Sequence, residues 1–135
     1  MRRPWYTVTM VVISDEWRSG KVLHGDQTGR TLGFPTANFE PRLANDITQE
    51  GVYASNVIVD GNPNRGALYI GPRITLGETR RVLEIHLLDF NGDLYDKELQ
   101  FQVGRFIRPP MDFDSVDALK AQLARDIMSV RSTTV

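Results

Sequence analysis

Between residues 8 and 107 every apolar run is short, and none repeats at the three-to-four spacing of a helix. The clearest run, Val82 to Phe90, alternates instead, with Leu83, Ile85 and Leu87 on one face. Asn91-Gly92 follows as a strong hairpin signal, because a type I′ turn needs φ > 0 at both central residues. A returning strand is then expected over about Leu94 to Ile107, with Leu99, Phe101 and Val103 on a common face. Gly51 to Val59 reads as another strand, ended by the turn Asp60-Gly61-Asn62-Pro63-Asn64. Ala67 to Ile70 resumes the extended form and stops at Gly71-Pro72. Earlier, Val8 to Ile13 and Ser19 to Leu23 read as short strands, and Phe39 to Gln49, lacking a clear period, reads as loop.

Strands separated by short turns, with no helix between them, predict a mainly β fold rather than a βαβ fold. The expectation is a closed six-stranded antiparallel Greek-key barrel with one C-terminal α-helix packed on it. Asp114 or Ser115 can cap that helix, and Val116, Leu119, Leu123, Ile127 and Val130 form its apolar stripe. With 135 residues, 41% of them hydrophobic, the chain has the apolar mass for one core and one domain. A net charge of −1 lacks the footprint of a nucleic-acid binder. The lack of cysteine excludes disulfides and thiolate metal sites, and fits a cytoplasmic protein. Val8 to Ile13 is too short to span a bilayer, and no small-residue cleavage site follows Met1-Arg2-Arg3 before Asp15 and Glu16. Neither a membrane nor a nucleic-acid partner is expected, and the chain is expected to be a monomer.

The segment from Gly20 to Asn38 carries the candidate chemistry. It holds Gly20, Gly25, Gly29 and Gly33, the basic Lys21 and Arg30, and a terminal Pro35-Thr36-Ala37-Asn38. Glycines let a ligand approach the backbone, and exposed N–H groups with a nearby cation make an anion site. The Thr36 hydroxyl and the Asn38 amide oxygen suit a hard cation such as Mg²⁺. A long turn with a solvated Arg30 is the alternative, since no Walker A or dinucleotide fingerprint is matched. Glu84, facing away from Leu83 and Ile85, is the candidate acid, with a solvent-facing glutamate as its alternative. His24 and His86 lack the spacing of a zinc site; His24 reads as loop edge and His86 as a neighbour that orients Glu84.

Gly29-Arg30-Thr31-Leu32-Gly33-Phe34-Pro35-Thr36-Ala37-Asn38 resembles the signature of the riboflavin kinase (flavokinase) family. The resemblance continues through Gly51-Val52-Tyr53-Ala54, Leu83-Glu84-Ile85-His86-Leu87-Leu88 and Phe113-Asp114-Ser115 into the last helix. It covers Gly20 to about Arg131, leaving residues 1–19 as an N-terminal strand or extension of a single domain over 1–135. The resemblance implies phosphorylation of riboflavin at the ribityl 5′-hydroxyl, with ATP as co-substrate and Mg²⁺ as the ion (Zn²⁺ or Mn²⁺ being alternatives). It implies Glu84 as general base and Gly25, Gly29, Arg30, Gly33, Pro35, Thr36 and Asn38 around the nucleotide. Thr36 and Asn38 are also the implied metal ligands. Tyr95, in Asp93-Leu94-Tyr95, is implied at nucleotide or flavin, with packing across the hairpin as the alternative.

At the implied flavin end, Arg108 and Phe113 match the family, while Pro110 and Met111 stand where an acid and a lysine are usual. Ile74 likewise replaces a proline. These departures motivate a rival reading, a non-catalytic flavin- or nucleotide-binding module of the same fold. A single-strand nucleic-acid barrel is the weaker rival, for want of a basic groove lined with aromatics. Roughly twenty residues ahead of the motif are too few for the nucleotidyltransferase domain of bacterial relatives, so FAD synthesis is not expected of this chain.

Overall fold

Among the described residues, seven strands occur up to residue 108 and one α-helix follows them. The computed structural model describes residues 16–24 and 34–133; the strand expected over Val8–Ile13 lies outside the described residues. The strands are β1 (Trp17–Lys21), β2 (Thr36–Phe39), β3 (Gly51–Val59), β4 (Asn62–Pro72), β5 (Arg81–Leu87), β6 (Glu98–Gln102) and β7 (Phe106–Arg108). The helix α1 spans Val116–Arg131, and single 3₁₀ turns lie at Pro41–Ala44 and Ile74–Leu76. Among the described residues no helix is long and apolar enough to cross a membrane.

The longest ladder joins β3 to β4 through a two-residue turn, with Val59 opposite Asn62. Asp60 (φ 51°) and Gly61 (φ 80°) both adopt the left-handed conformation that a type I′ turn requires. The strong hairpin is therefore Asp60-Gly61, and the expected turn to Asn64 is mostly strand. Asn91-Gly92 is not a hairpin. Gly92 has φ 128° but Asn91 is not among the positive-φ residues, and β5 and β6 do not pair. Both edges of β5 are taken by β4 and β2, and those of β6 by β3 and β1. The connection between them instead crosses the fold, and Leu94 is buried in the core on the way.

The returning strand is also divided. Ala54 N donates to Arg105 O and Gly104 N to Ala54 O, each at 2.8 Å. The register of β3 against β7 slips at Val52/Tyr53, so the chain bends between β6 and β7.

The sheet runs β1-β6-β3-β4-β5-β2, all pairs antiparallel, with β7 added on β3. It is strongly curled but open, a half-barrel rather than the expected closed barrel. Closure requires a continuous ladder between the first and last strands. Among the described residues the two ends meet in one isolated bridge, Leu23 with Asn38. Side chains pack beside the bridge at Gly20. Leu43 and Phe39 pack so closely on Gly20 that a Cβ there would lie 2.5 Å from Leu43 Cδ1. The segment read as loop after Phe39 supplies that filling from its 3₁₀ turn.

Two apolar clusters result. Leu83, Ile85, Leu87, Leu99, Phe101 and Val103 meet inside the curl, as their alternation predicts. Val52, Ala54 and Ala67 meet Ile127 and Val130 of α1 on the other side of β3 and β4. Ser115 caps α1, its side chain accepting from Ala118 N at 3.1 Å. Leu123, Ile127 and Val130 are buried, whereas Val116 is 49% exposed and falls outside the stripe.

Candidate active site

Alternation along β5 sends Leu83, Ile85 and Leu87 into the curl and leaves Glu84 and His86 facing away from it. There they line a cleft of about 680 Å³, counted out to its open mouth. Its opposite side is built by Leu119, Leu123 and Asp126 of α1, and its lips by the turn at Arg73–Thr75 and by Met111 and Phe113. Such a mostly apolar concavity with a few convergent polar groups is the usual form of a small-molecule site.

β2 pairs with β5 so that Thr36 stands opposite His86 and Asn38 opposite Glu84. A four-residue strand thus carries Thr36 and Asn38 to the carboxylate. The long turn that glycine content allows over Gly20 to Asn38 therefore ends in a strand at Thr36. The Thr36 hydroxyl lies 3.1 Å from the Phe34 carbonyl oxygen and 2.9 Å from His86 Nδ1. A carbonyl oxygen only accepts, so the hydroxyl proton goes to Phe34 and His86 Nδ1–H donates to Thr36. His86 Nε2 then faces Glu84 Oε1 at 3.9 Å. Burial pushes the imidazole pKa below its ordinary value, against the pull of Glu84. His86 is therefore a neutral, directional donor.

Arg73 joins the remaining groups. Its Nη2 donates to Glu84 Oε2 at 3.1 Å and to Asn38 Oδ1 at 3.3 Å, while Nη1 stands 3.5 Å from Glu78 Oε1. The Arg73 and Glu84 side chains are each 13% exposed, so this pair is only lightly screened by water. Nearby, the Tyr69 hydroxyl donates to Pro72 O. Burial first, then Glu50 and Glu84, push the Tyr69 pKa up to about 12.

At the other end of the cleft Arg108 grips Asp126 with two bonds, Nε to Oδ1 at 2.9 Å and Nη2 to Oδ2 at 2.8 Å. Gln122 Nε2 adds a third bond to Asp126, which is 1% exposed. The Arg108 guanidinium lies 5.9 Å from the centre of the Phe113 ring. Phe113 N donates to Thr75 Oγ1 at 3.0 Å, tying the two lips together.

The fold thus brings Glu84, Thr36 and Asn38 together, with Arg108, Met111 and Phe113 in the cleft that Glu84 lines. Pro35 lies beside them, its carbonyl accepting from Leu87 N at 2.9 Å. Tyr95 is not among the cleft residues; it stacks on His24, ring centres 4.3 Å apart, and packs against the core. Gly25, Gly29, Arg30 and Gly33 lie outside the described residues. Arg73 and Asp126 escaped sequence reasoning. An arginine in a Gly- and Pro-flanked turn reads as solvated. An acid between Leu123 and Ile127 on a helix face does carry a signal, because it interrupts the stripe.

Metal binding depends on hard oxygen donors. Among the described residues no group of three or more His, Cys, Asp or Glu is arranged for a metal. Thr36 and Asn38 offer two neutral oxygens, which suits an ion that takes its remaining ligands from phosphates and water, as Mg²⁺ does.

The sequence model of the riboflavin kinase family, described as Flavokinase, matches residues 16–134. The bifunctional riboflavin kinase/FMN adenylyltransferase of Escherichia coli (strain K12) is 46% identical over 114 residues, 84% of this chain and 36% of that protein. The chain thus spans about a third of the length of that relative. A solved Streptococcus pneumoniae structure, described as a macrolide-efflux protein, is 30% identical with a TM-score of 0.71, over 87% of this chain and 39% of that one. Riboflavin kinase from Trypanosoma brucei is 27% identical with a TM-score of 0.60, over 85% of this chain and 76% of that one.

Proposed function

The chain belongs to the riboflavin kinase family, and from that we propose that it transfers the γ-phosphate of ATP to the ribityl 5′-hydroxyl of riboflavin, giving FMN and ADP. The observation carrying this reading is the β2–β5 register, which sets Asn38 opposite Glu84 and Thr36 opposite His86, the two residues of β5 that line the cleft.

Glu84 is the base. Phosphoryl transfer passes through a loose transition state, so the protein's main task is to position the alcohol and accept its proton late. A carboxylate at the end of an apolar cleft meets both needs. The flavin ring lies between Met111, Phe113 and Leu119, which leaves the ribityl chain directed at Glu84. Tyr95 lies outside that cleft, so its part is at most at the nucleotide side. Thr36 and Asn38 would hold Mg²⁺ together with the phosphates, and the ion would supply charge stabilisation to the transferring group. His86 keeps the Thr36 hydroxyl turned with its proton on Phe34 O, so that an oxygen lone pair is left for the ion. Gly25, Gly29, Arg30, Gly33 and Pro35 complete the nucleotide side.

Met111 favours the rival reading, because an exposed thioether at the cleft mouth stands where the family has a charge. A module that binds FMN tightly and consumes no ATP would fit it. The two readings separate in one assay, FMN formation from riboflavin and Mg·ATP. Glu84→Gln is expected to lower kcat by about a hundred- to ten-thousand-fold while flavin binding persists. Wild-type turnover in that variant would remove the base assignment, and no FMN from the wild-type chain would remove the kinase reading.

A further inference from the structure

One side-chain nitrogen touches both groups on which the proposed chemistry depends. Arg73 Nη2 reaches Glu84 Oε2 and Asn38 Oδ1 at 3.1 and 3.3 Å. We infer that Arg73 is the protein's own counter-cation at this oxygen pair, and that a divalent ion binds Asn38 only by exchanging with it. The inference rests on the reading of Glu84 as base and Asn38 as metal ligand.

Two observations carry it. First, a dication and a guanidinium on the same amide oxygen repel each other strongly where water screens little, and both Arg73 and Glu84 are 13% exposed. Second, the guanidinium has somewhere to go. Glu78 Oε1 stands 3.5 Å from Nη1, on a side chain 39% exposed at the cleft rim. The backbone beneath is held by Gly77 N to Ile74 O at 2.9 Å and Glu78 N to Arg73 O at 3.2 Å. The exchange is thus a side-chain rotation on a fixed turn. It makes entry of the ion and release of the base one event, and it disfavours the ion arriving without its nucleotide.

The test measures Mn²⁺ binding from the free-ion paramagnetic resonance signal, with no nucleotide present. Wild type and Arg73→Lys, which keeps the charge, are expected to bind weakly. Arg73→Gln is expected to bind at least tenfold more tightly, and Asn38→Ala added to it to abolish the gain. Equal affinity in wild type and Arg73→Gln overturns the inference. If Asn38→Ala still weakens Mn·ADP binding in that case, the metal-ligand reading stands without it. If Asn38→Ala leaves Mn·ADP binding unchanged, the reading and the inference fall together. Should Arg73→Gln not fold, the wild-type chain decides. Its Arg73 side-chain NMR resonances are expected to shift on adding Mg·ADP but not on adding Mg²⁺ alone, and no shift with Mg·ADP overturns the exchange.

Discussion

His86 shows how much one buried side chain governs here. It is held neutral by burial, lies against Glu84, and donates a hydrogen bond from Nδ1–H to Thr36 Oγ1. Its folded-state pKa lies below the unfolded value of about 6.5, so between the two the unfolded chain binds the extra proton. Stability therefore falls as pH drops below the unfolded value, and the loss is complete once pH passes the folded pKa. Denaturant midpoints at pH 7.5 and 5.5 check this: the wild type is expected to lose more stability over that interval than His86→Gln. Equal losses would show that His86 contributes no such slope. The spacing of Glu84 and His86 on one strand face was readable from alternation alone. The hydrogen bond to Thr36 was not, because Thr36 lies fifty positions away along the chain.

Each element's limits follow from local chemistry, and its neighbours do not. The Ser115 cap and the apolar stripe of α1 are readable residue by residue. Asp126 is a different case, since its partner, Arg108, comes from β7. Removing one member of such a pair leaves a buried charge unmatched. Asp126→Ala is expected to cost about 3 kcal/mol in urea unfolding, whereas Ser115→Ala, which loses only a cap bond, is expected to cost about 1 kcal/mol. Similar costs for the two would mean that the Arg108–Asp126 pair adds little. β3 holds a comparable long-range demand at Gly51. Its φ is 144°, and a Cβ there would sit 2.1 Å from Arg108 O, against backbone that cannot give way. Gly51→Ala is expected to push β7 from β3 and to displace Arg108 from the cleft, read as loss of the ordered Arg108 guanidinium signal in NMR.

Across the molecule, the cleft exists because a curled sheet offers its outer face to α1 while two connections overhang the gap. Thr75 in one and Phe113 in the other are joined by a single hydrogen bond. A bond of this kind contributes roughly 1 kcal/mol, so Thr75→Ala is expected to raise the riboflavin KM about fivefold with kcat nearly unchanged. A fall in kcat at constant KM would place the bond in the chemical step instead. Alternation, the capped helix and the Gly-Phe-Pro-Thr-Ala-Asn motif were enough by themselves to indicate a β-rich domain of this family with Glu84 as its candidate acid. These are short-range properties, set by backbone periods and by residues adjacent in sequence. Only the tertiary structure decided that β5 pairs with β2 and β4 rather than β6, that the curl stays open, and that Arg73 and Asp126 enter the cleft. Strand partners and ion pairs are chosen by contacts between distant residues, and no local pattern encodes which distant residue will be met.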